Sequence, residues 1–277
     1  SDTPYASGFR YAFRITNGNQ TSQSANDYIL LRQKIEAQNM ACSGWNYTSA
    51  SSYVTLSFWV KVSVAQTMYV RLLSEDSPGG EQYSFAFSAT TSWTKITKKI
   101  PGASGVIFNN DNGTGLNISF IPFYGTSYTT SGHTNDVWED QDGADQLPDM
   151  ANTWFSVNDA TFDITGIQLE VGSVATDFEH RSFAQELALC QRYFQKIACN
   201  QMMMTLIRTS DNQHRLVLNH PVTMRDTPTG TITSANQDGG GSLTIPSVSK
   251  DSIVFSQGSV GTGNTPNISE YTLAAEL

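Results

Sequence analysis

The segment that decides the fold is TFDITGIQLEVGSVATDFEHRSFAQELALCQRYFQKI, which runs from Thr161 to Ile197. Its first part alternates apolar and polar residues with the period of two that is typical of a half-buried β-strand. The alternation slips by one residue at Thr165 and Gly166, which predicts a β-bulge at the glycine. Beyond Gly172 the apolar spacing becomes helical, so the segment predicts a strand that is followed by a helix.

The predicted helix covers residues 181–200 and begins near Phe183. Ser182 is followed three residues later by Gln185, a spacing that predicts a capping box in which both side chains satisfy first-turn N–H groups. Apolar residues then recur at the four-three spacing of a heptad seam, namely Phe183, Leu187, Cys190, Phe194 and Ile197. Because isolated helices of about 12–15 residues are marginal in water, this seam must pack either on its own domain or on copies of itself around a symmetry axis.

Period-two alternation also predicts the fold of the remaining chain. Seven runs upstream read as strands, at residues 9–15, 28–35, 56–64, 69–73, 83–87, 93–100 and 116–123. Together with the strand that begins at Thr161 they make eight, and eight antiparallel strands with one apolar face each predict a jelly-roll β-sandwich over residues 1–180. Shorter runs separated by Pro and Gly predict a small β domain over residues 201–277. The predicted fold class is mainly β, with one amphipathic helix between two β domains.

The composition argues against several classes of partner. The net charge is −9 and no dense Lys/Arg cluster is present, which disfavours nucleic acid and leaves neutral sugars as plausible partners. No apolar stretch of 18 residues exists, so membrane insertion is not expected. The three cysteines are an odd number and a poor disulfide framework, which fits assembly in a reducing cytoplasm.

The strand pattern disappears between Gly132 and Phe155, in a segment rich in tryptophan and carboxylates. Long irregular segments inside compact domains are often functional. Aromatic rings stack on sugar rings, and polar neighbours bind the hydroxyls. We therefore expect carbohydrate binding at Trp138, Tyr124 and Tyr128, with Trp45 in a similar setting. The loops that come next as candidates are Asp238 to Ser242 and Gly258 to Asn264.

The same segment contains the only cluster of acidic residues that suggests a metal. Asp140, Asp142 and Asp145 form D-Q-D-G-A-D, whose alternate carboxylates around a glycine could supply several oxygen ligands to calcium. The glutamate that closes an EF-hand loop is missing, so a solvated acidic loop is the alternative. No cofactor is required by this pattern.

Paired carboxylates could also hydrolyse glycosidic bonds. However, the acidic residues cluster in one loop, and the sequence contains no nucleophile elbow, P-loop or zinc-ligand spacing. We therefore expect that the protein is not an enzyme.

The string ITGIQLEVGSVATDFEHRSFAQELALCQRYFQK, from Ile164 to Lys196, closely resembles a segment near the C terminus of many bacteriophage tail fibre and receptor-binding proteins. In those proteins it usually follows a sandwich domain that resembles carbohydrate-binding modules. PVTMRDTPTGTI (Pro221 to Ile232) and YTLAAEL (Tyr271 to Leu277) resemble the closing pieces of the same proteins.

The resemblance implies a homotrimeric protein of the virion tail that attaches to a sugar of a bacterial surface polysaccharide or lipopolysaccharide. It does not identify the receptor. Two other functions stay open at this point: a depolymerase that cleaves capsule polysaccharide, and a purely structural trimerisation tip.

Overall fold

The computed structural model describes residues 3–19, 22–203, 205–206, 214–236, 241–258 and 267–276. The chain divides into two compact units, Ser1–Glu179 and His180–Leu277. The sequence predicted that the first domain ends at residue 180. The helix predicted as a separate linking element lies within the second unit.

The first unit consists of β-strands with two short helical turns. These elements are a 3-10 turn (Tyr5–Ser7), β1 (Phe13–Thr16), β2 (Tyr28–Glu36), α1 (Ala37–Ala41), β3 (Tyr53–Val62), β4 (Gln66–Ser74), β5 (Glu81–Ala89), β6 (Thr94–Pro101), β7 (Thr114–Tyr124), β8 (Thr129–Thr130), β9 (Trp138–Asp140), β10 (Leu147–Pro148) and β11 (Thr161–Val171). All eight predicted strands are present, as β1 to β7 and β11.

The eight long strands form the predicted jelly-roll sandwich. One sheet has the order β1-β11-β3-β6 and the other the order β2-β7-β4-β5-β9. Successive long strands alternate between the two sheets, except for the β4–β5 hairpin, and all their pairings are antiparallel. This alternation is the jelly-roll connectivity.

Alternate residues of each strand point into the space between the sheets and form one apolar core. Phe58 of the four-stranded sheet contacts Phe87 and Phe120 of the five-stranded sheet, with ring centroids 5.3 and 5.0 Å apart. Burying each such side chain contributes about 1.5–3 kcal/mol. The core therefore holds the two sheets face to face.

The predicted bulge in β11 is confirmed. The pairing of β11 with β3 shifts between Thr165 and Gln168, and Gly166 has a φ of 59°. A side chain at this position would place its Cβ 2.5 Å from the ring of Phe9, so both the backbone conformation and the close contact require glycine.

The second unit contains a nine-residue helix and two small sheets. Its elements are α2 (Phe183–Gln191), β12 (Phe194–Met203), β13 (Thr205–Leu206), β14 (His214–Asn219), β15 (Thr229–Asn236), β16 (Leu243–Val248), β17 (Ser252–Gln257) and β18 (Asn267–Ala274). The sheets have the orders β12-β18-β15 and β13-β14-β17-β16, with a core that includes Phe255 and Tyr271. Within the described part of the chain, no helix has the length and apolarity needed to cross a membrane.

The start of α2 agrees with the sequence, but its end does not. Ser182 and Gln185 form the predicted capping box, and the helix begins at Phe183. It stops at Gln191, so the predicted helix over residues 181–200 is wrong in its second half. Phe194 and Ile197 instead lie on β12, paired with β18.

The helix ends at Gln191 because N–H groups of other segments form hydrogen bonds with the two backbone carbonyls that follow it. The Arg192 and Tyr193 carbonyls accept hydrogen bonds from the N–H groups of Arg225 and Ala275, both at 2.8 Å. The Gln195 amide donates to the Gln191 carbonyl at 3.0 Å and closes the last turn.

The five-residue heptad seam is therefore not a continuous helix face. Phe183, Leu187 and Cys190 lie on α2, where no residue is buried within the chain. Phe194 and Ile197 are three apart on a strand, so their side chains point to opposite faces of the sheet. Ile197 packs on the core of the second unit, whereas Phe194 is 45% exposed.

Candidate functional site

Part of the segment from Gly132 to Phe155, around Leu147, folds over the outer face of the five-stranded sheet. Its strand β9 pairs with β5 as the edge strand of this sheet, and β10 pairs with β8. Leu147 is fully buried on this face in a cluster with Tyr69, Ile121 and Tyr124. The loop is therefore a packed layer over part of the sheet.

The uncovered part of this face is a cleft of about 520 Å³. Its lining residues are Tyr28, Leu30, Arg32, Tyr124, Tyr128 and Gln146. The first three alternate along β2, so they share one face of the strand. Tyr124 pairs with Tyr28 from the end of β7, while Tyr128 and Gln146 come from the covering layer. The volume is within the range of small-ligand sites.

Three tyrosine rings form the aromatic part of the cleft. The Tyr28 ring stands edge-on to those of Tyr128 and Tyr124, with centroids 5.7 and 6.4 Å apart. Tyr28 is 58% exposed, Tyr128 is half-buried and Tyr124 is buried at the base. The Tyr128 hydroxyl donates to the Asn26 carbonyl at 3.4 Å, which helps to orient that ring. Edge-on packing of this kind keeps aromatic faces in fixed directions.

Arg32 supplies the charge beside these rings. Its Nε donates to Ser119 Oγ at 3.3 Å, and its guanidinium also bonds the Tyr124 hydroxyl. Burial raises the pKa of Tyr124, although the neighbouring guanidiniums of Arg71 and Arg32 oppose that rise. Tyr124 is therefore a neutral phenol at pH 7, available as a hydrogen-bonding group at the base of the cleft.

Of the four residues predicted to stack on sugars, the structure brings two together. Tyr124 and Tyr128 both line the cleft. The structure differs from the prediction at Trp45. This residue is only 3% exposed and packs in the core with Tyr47 and Phe108, whose ring centroids both lie 6.2 Å from its own. Its position between glycine and asparagine suggested a setting like that of Trp138, but Phe108, one of its two partners, lies far away in sequence.

The structure also differs from the prediction that Trp138 is a sugar-stacking residue in a loop. It lies on β9, where its half-buried ring packs against the core and contacts Tyr83 at 5.4 Å. Its indole N–H donates to the Pro101 carbonyl at 2.7 Å. The ring thus faces the sandwich interior, because β9 pairs with β5 and Trp138 takes an inward position opposite Tyr83.

The acidic loop does not form a preformed calcium site. Asp145 accepts from Thr130 at 2.8 Å and lies 2.9 Å from the His133 ring nitrogen, while Asp142 accepts from the backbone N–H of Ala144. Asp140 ends β9 and is exposed. Over the described ranges, no three His, Cys, Asp or Glu side chains are grouped so that they could hold a metal. Calcium at these three residues stays a prediction that the geometry does not favour.

One arrangement was not predicted from the sequence. Ser84 Oγ lies 2.7 Å from His133 Nε2, and His133 Nδ1 lies 2.9 Å from Asp145 Oδ1, as in a Ser-His-Asp triad. However, Ser84 is 2% exposed, the imidazole is 1% exposed, and Asn135 competes for the hydroxyl proton at 2.7 Å. None of the three lines the cleft. The hydrogen bonds of this triad therefore hold the covering layer against the sheet.

Three of the lining residues were not predicted from the sequence, namely Tyr28, Arg32 and Gln146. The signal that could have identified the first two is the outward phase of β2, where Tyr28, Leu30 and Arg32 alternate with the inward-facing Ile29 and Leu31. Gln146 gave no signal, because the return of the loop over the sheet depends on long-range packing. Of the further candidate loops, residues 238–240 and 259–264 lie outside the described residues.

No protein-family model and no curated protein matches the chain. The chain is similar to the solved structure described as "CBM4 structure and function", with 14% identity, 55% of this chain and 66% of that chain covered, and a TM-score of 0.30.

Two further solved structures are also similar to the chain. For the T=1 Penaeus vannamei nodavirus the identity is 9%, the coverage 96% of this chain and 98% of that chain, and the TM-score 0.26. For discoidin II of Dictyostelium discoideum the identity is 8%, the coverage 99% of this chain and 84% of that chain, and the TM-score 0.20. At these scores the similarities carry no argument about function, and the strand order itself defines the fold.

Proposed function

We propose that the protein is the receptor-binding end of a bacteriophage tail fibre, located in the virion tail, and that its sandwich binds a sugar of the bacterial surface. The observation that carries the binding role is the cleft, where an exposed tyrosine ring and an oriented second ring adjoin Arg32 and Gln146. Sugars require this combination of apolar faces and hydrogen-bonding groups. The tail-fibre role is supported by the resemblance of Ile164 to Lys196 to such proteins.

Binding without catalysis is part of the proposal. The cleft is lined by tyrosines, an arginine, a leucine and a glutamine, so its lining offers no pair of carboxylates for glycoside hydrolysis. The buried Ser84 and His133 do not reach the cleft. The ligand is therefore held and released unchanged, in contrast to the action of a depolymerase.

The test is to screen the whole chain against an array of bacterial surface oligosaccharides and then to assay the bound glycans for new reducing ends. We expect saturable binding to at least one glycan and no new reducing ends. New reducing ends would support the depolymerase alternative. An absence of binding across the array would support a purely structural tip and contradict the proposal.

We further propose that the chain acts as a homotrimer. The supporting observation is α2, where Phe183 is 81% exposed and Leu187 and Leu189 are each 43% exposed. Apolar residues on one short helix are stabilised when copies meet around a closed symmetry axis. Linking three weak sites would raise avidity by about 10²–10⁴.

Light scattering on the whole chain tests this arrangement. We expect the mass of three chains, and we expect Leu187→Asp to give single chains, because converging carboxylates cannot be buried in an apolar contact. The neighbouring Glu186→Gln is the matched control and should stay trimeric. A monomeric parent protein would contradict the trimer.

A further inference from the structure

Two arginines lie in one row on the cleft-bearing face, although the whole protein has a net charge of −9. Arg32 of β2 and Arg71 of β4 both pair with Ser119 of the intervening β7. Residues in one lateral row of a sheet share a face, and two strand spacings separate their Cα atoms by about 10 Å. Two guanidiniums therefore flank Ser119 on the outer face of the sheet.

Within the described part of the chain, neither guanidinium forms an ion pair with a carboxylate. Among the ion pairs of the described residues, none involves Arg32 or Arg71. Their hydrogen-bond partners are neutral: Arg32 donates to Ser119, and Arg71 Nε donates to Gln82 Oε1 at 2.9 Å. The negative charge of Glu75 raises the pKa of Arg71, and the Glu75 carboxylate accepts a hydrogen bond from the Asn117 side-chain amide.

Arg71 is also incompletely bonded. It is only 4% exposed, and its Nη2 is buried with no hydrogen-bond partner in the described part of the chain. A buried charged donor without a partner is costly and calls for an explanation. Burial lowers the pKa of Arg71 to about 10, so the group is still charged at pH 7. This row adjoins the cleft, because Arg32 lines the cleft and Tyr124, which also lines it, interacts electrostatically with Arg71.

We propose that the sugar bound in the cleft is acidic, and that its carboxylate is bound by Arg32 and drawn toward Arg71. This inference rests on the proposed function and names its ligand class. A carboxylate matches the planar guanidinium, and charge-assisted bonds of this type are stronger than neutral ones. The proposed ligand is thus a uronic acid rather than the neutral sugar that the net charge left plausible, because Arg32 places a positive charge in the cleft itself.

The experiment uses the whole chain and a panel of bacterial capsular oligosaccharides that contain uronic acids, each paired with its carboxyl-reduced, neutral form. We expect binding to an acidic member, with about 10- to 100-fold weaker binding to its reduced partner, as loss of one charged hydrogen bond predicts. Arg32→Gln should show a similar loss toward the acidic form and little change toward the neutral form. Lys95→Gln, which removes one positive charge from β6 of the opposite sheet, is the matched control and should bind normally.

Arg71→Gln tests the second guanidinium, provided that circular dichroism shows that the variant folds. Arg32→Gln tests the proposal whether or not the Arg71 variant folds, because the Arg32 side chain is exposed. Equal binding to the acidic and reduced forms would overturn the acidic-sugar inference and leave the proposed glycan-binding function intact. Binding of the parent protein to no member, acidic or neutral, would overturn both.

Discussion

Trp138→Ala separates a stacking platform from a structural residue. If the ring were a sugar platform, its removal would abolish glycan binding and leave stability nearly unchanged. In the structure the half-buried indole instead contacts Tyr83 and donates to the Pro101 carbonyl. The substitution should therefore destabilise the sandwich and leave the cleft able to bind.

The expected cost follows from these contacts. Removing a fully buried Trp costs about 3–5 kcal/mol, and a half-buried ring about half of that. Loss of the hydrogen bond to Pro101 adds about 1 kcal/mol. The sum is about 3 kcal/mol, which for a unit of this size lowers the melting temperature by roughly 6–12 °C.

Urea and thermal unfolding followed by far-ultraviolet circular dichroism would measure this cost, with the transitions of the two units analysed separately. Glycan titration would be carried out at a temperature at which the variant is folded. Tyr11→Ala is the matched control, because that ring is 86% exposed. It should change neither stability nor binding. A Trp138→Ala protein with normal stability and no glycan binding would refute the assignment of this ring to the sandwich interior.

Three further outcomes follow from the structure. Ser84→Ala should lower the stability of the sandwich by about 1–3 kcal/mol in urea unfolding, since it breaks buried hydrogen bonds; loss of a hydrolytic activity in this variant would show instead that the buried triad is catalytic. Gly166→Ala should cost about 2–4 kcal/mol, because alanine must adopt a left-handed conformation and its Cβ meets the Phe9 ring; an unchanged melting curve would contradict the bulge geometry. The melting temperature should be the same in millimolar calcium and in chelator, because Asp145 is engaged by Thr130 and His133; a rise in calcium would restore the metal prediction.

Local patterns predicted the sandwich well because its strands have one apolar face each. Alternation located every long strand of the first unit, and the phase slip at Gly166 located the bulge. The capping box at Ser182 and Gln185 was predictable for the same reason, since both groups lie within one turn.

Features that depend on distant partners could not be predicted in this way. The four-three spacing of Phe194 and Ile197 fits a helix, but both residues lie on β12, whose backbone pairs with the distant strand β18. Trp138 looked like a loop residue because the pairing of β9 with β5 joins positions more than fifty residues apart. The cleft could not be predicted either, because its lining combines residues of β2 with residues of the covering layer that are distant in sequence.

The most direct test of the central claim is an isothermal titration of the best oligosaccharide from the array into the parent chain, Tyr128→Ala and Tyr11→Ala. Tyr128 lines the cleft and Tyr11 does not. Loss of one stacking ring should weaken binding by about 10-fold or more for Tyr128→Ala, if the ring contributes about 1.5 kcal/mol. Tyr11→Ala should bind like the parent chain. Equal affinity of all three proteins would place the glycan elsewhere and contradict the account.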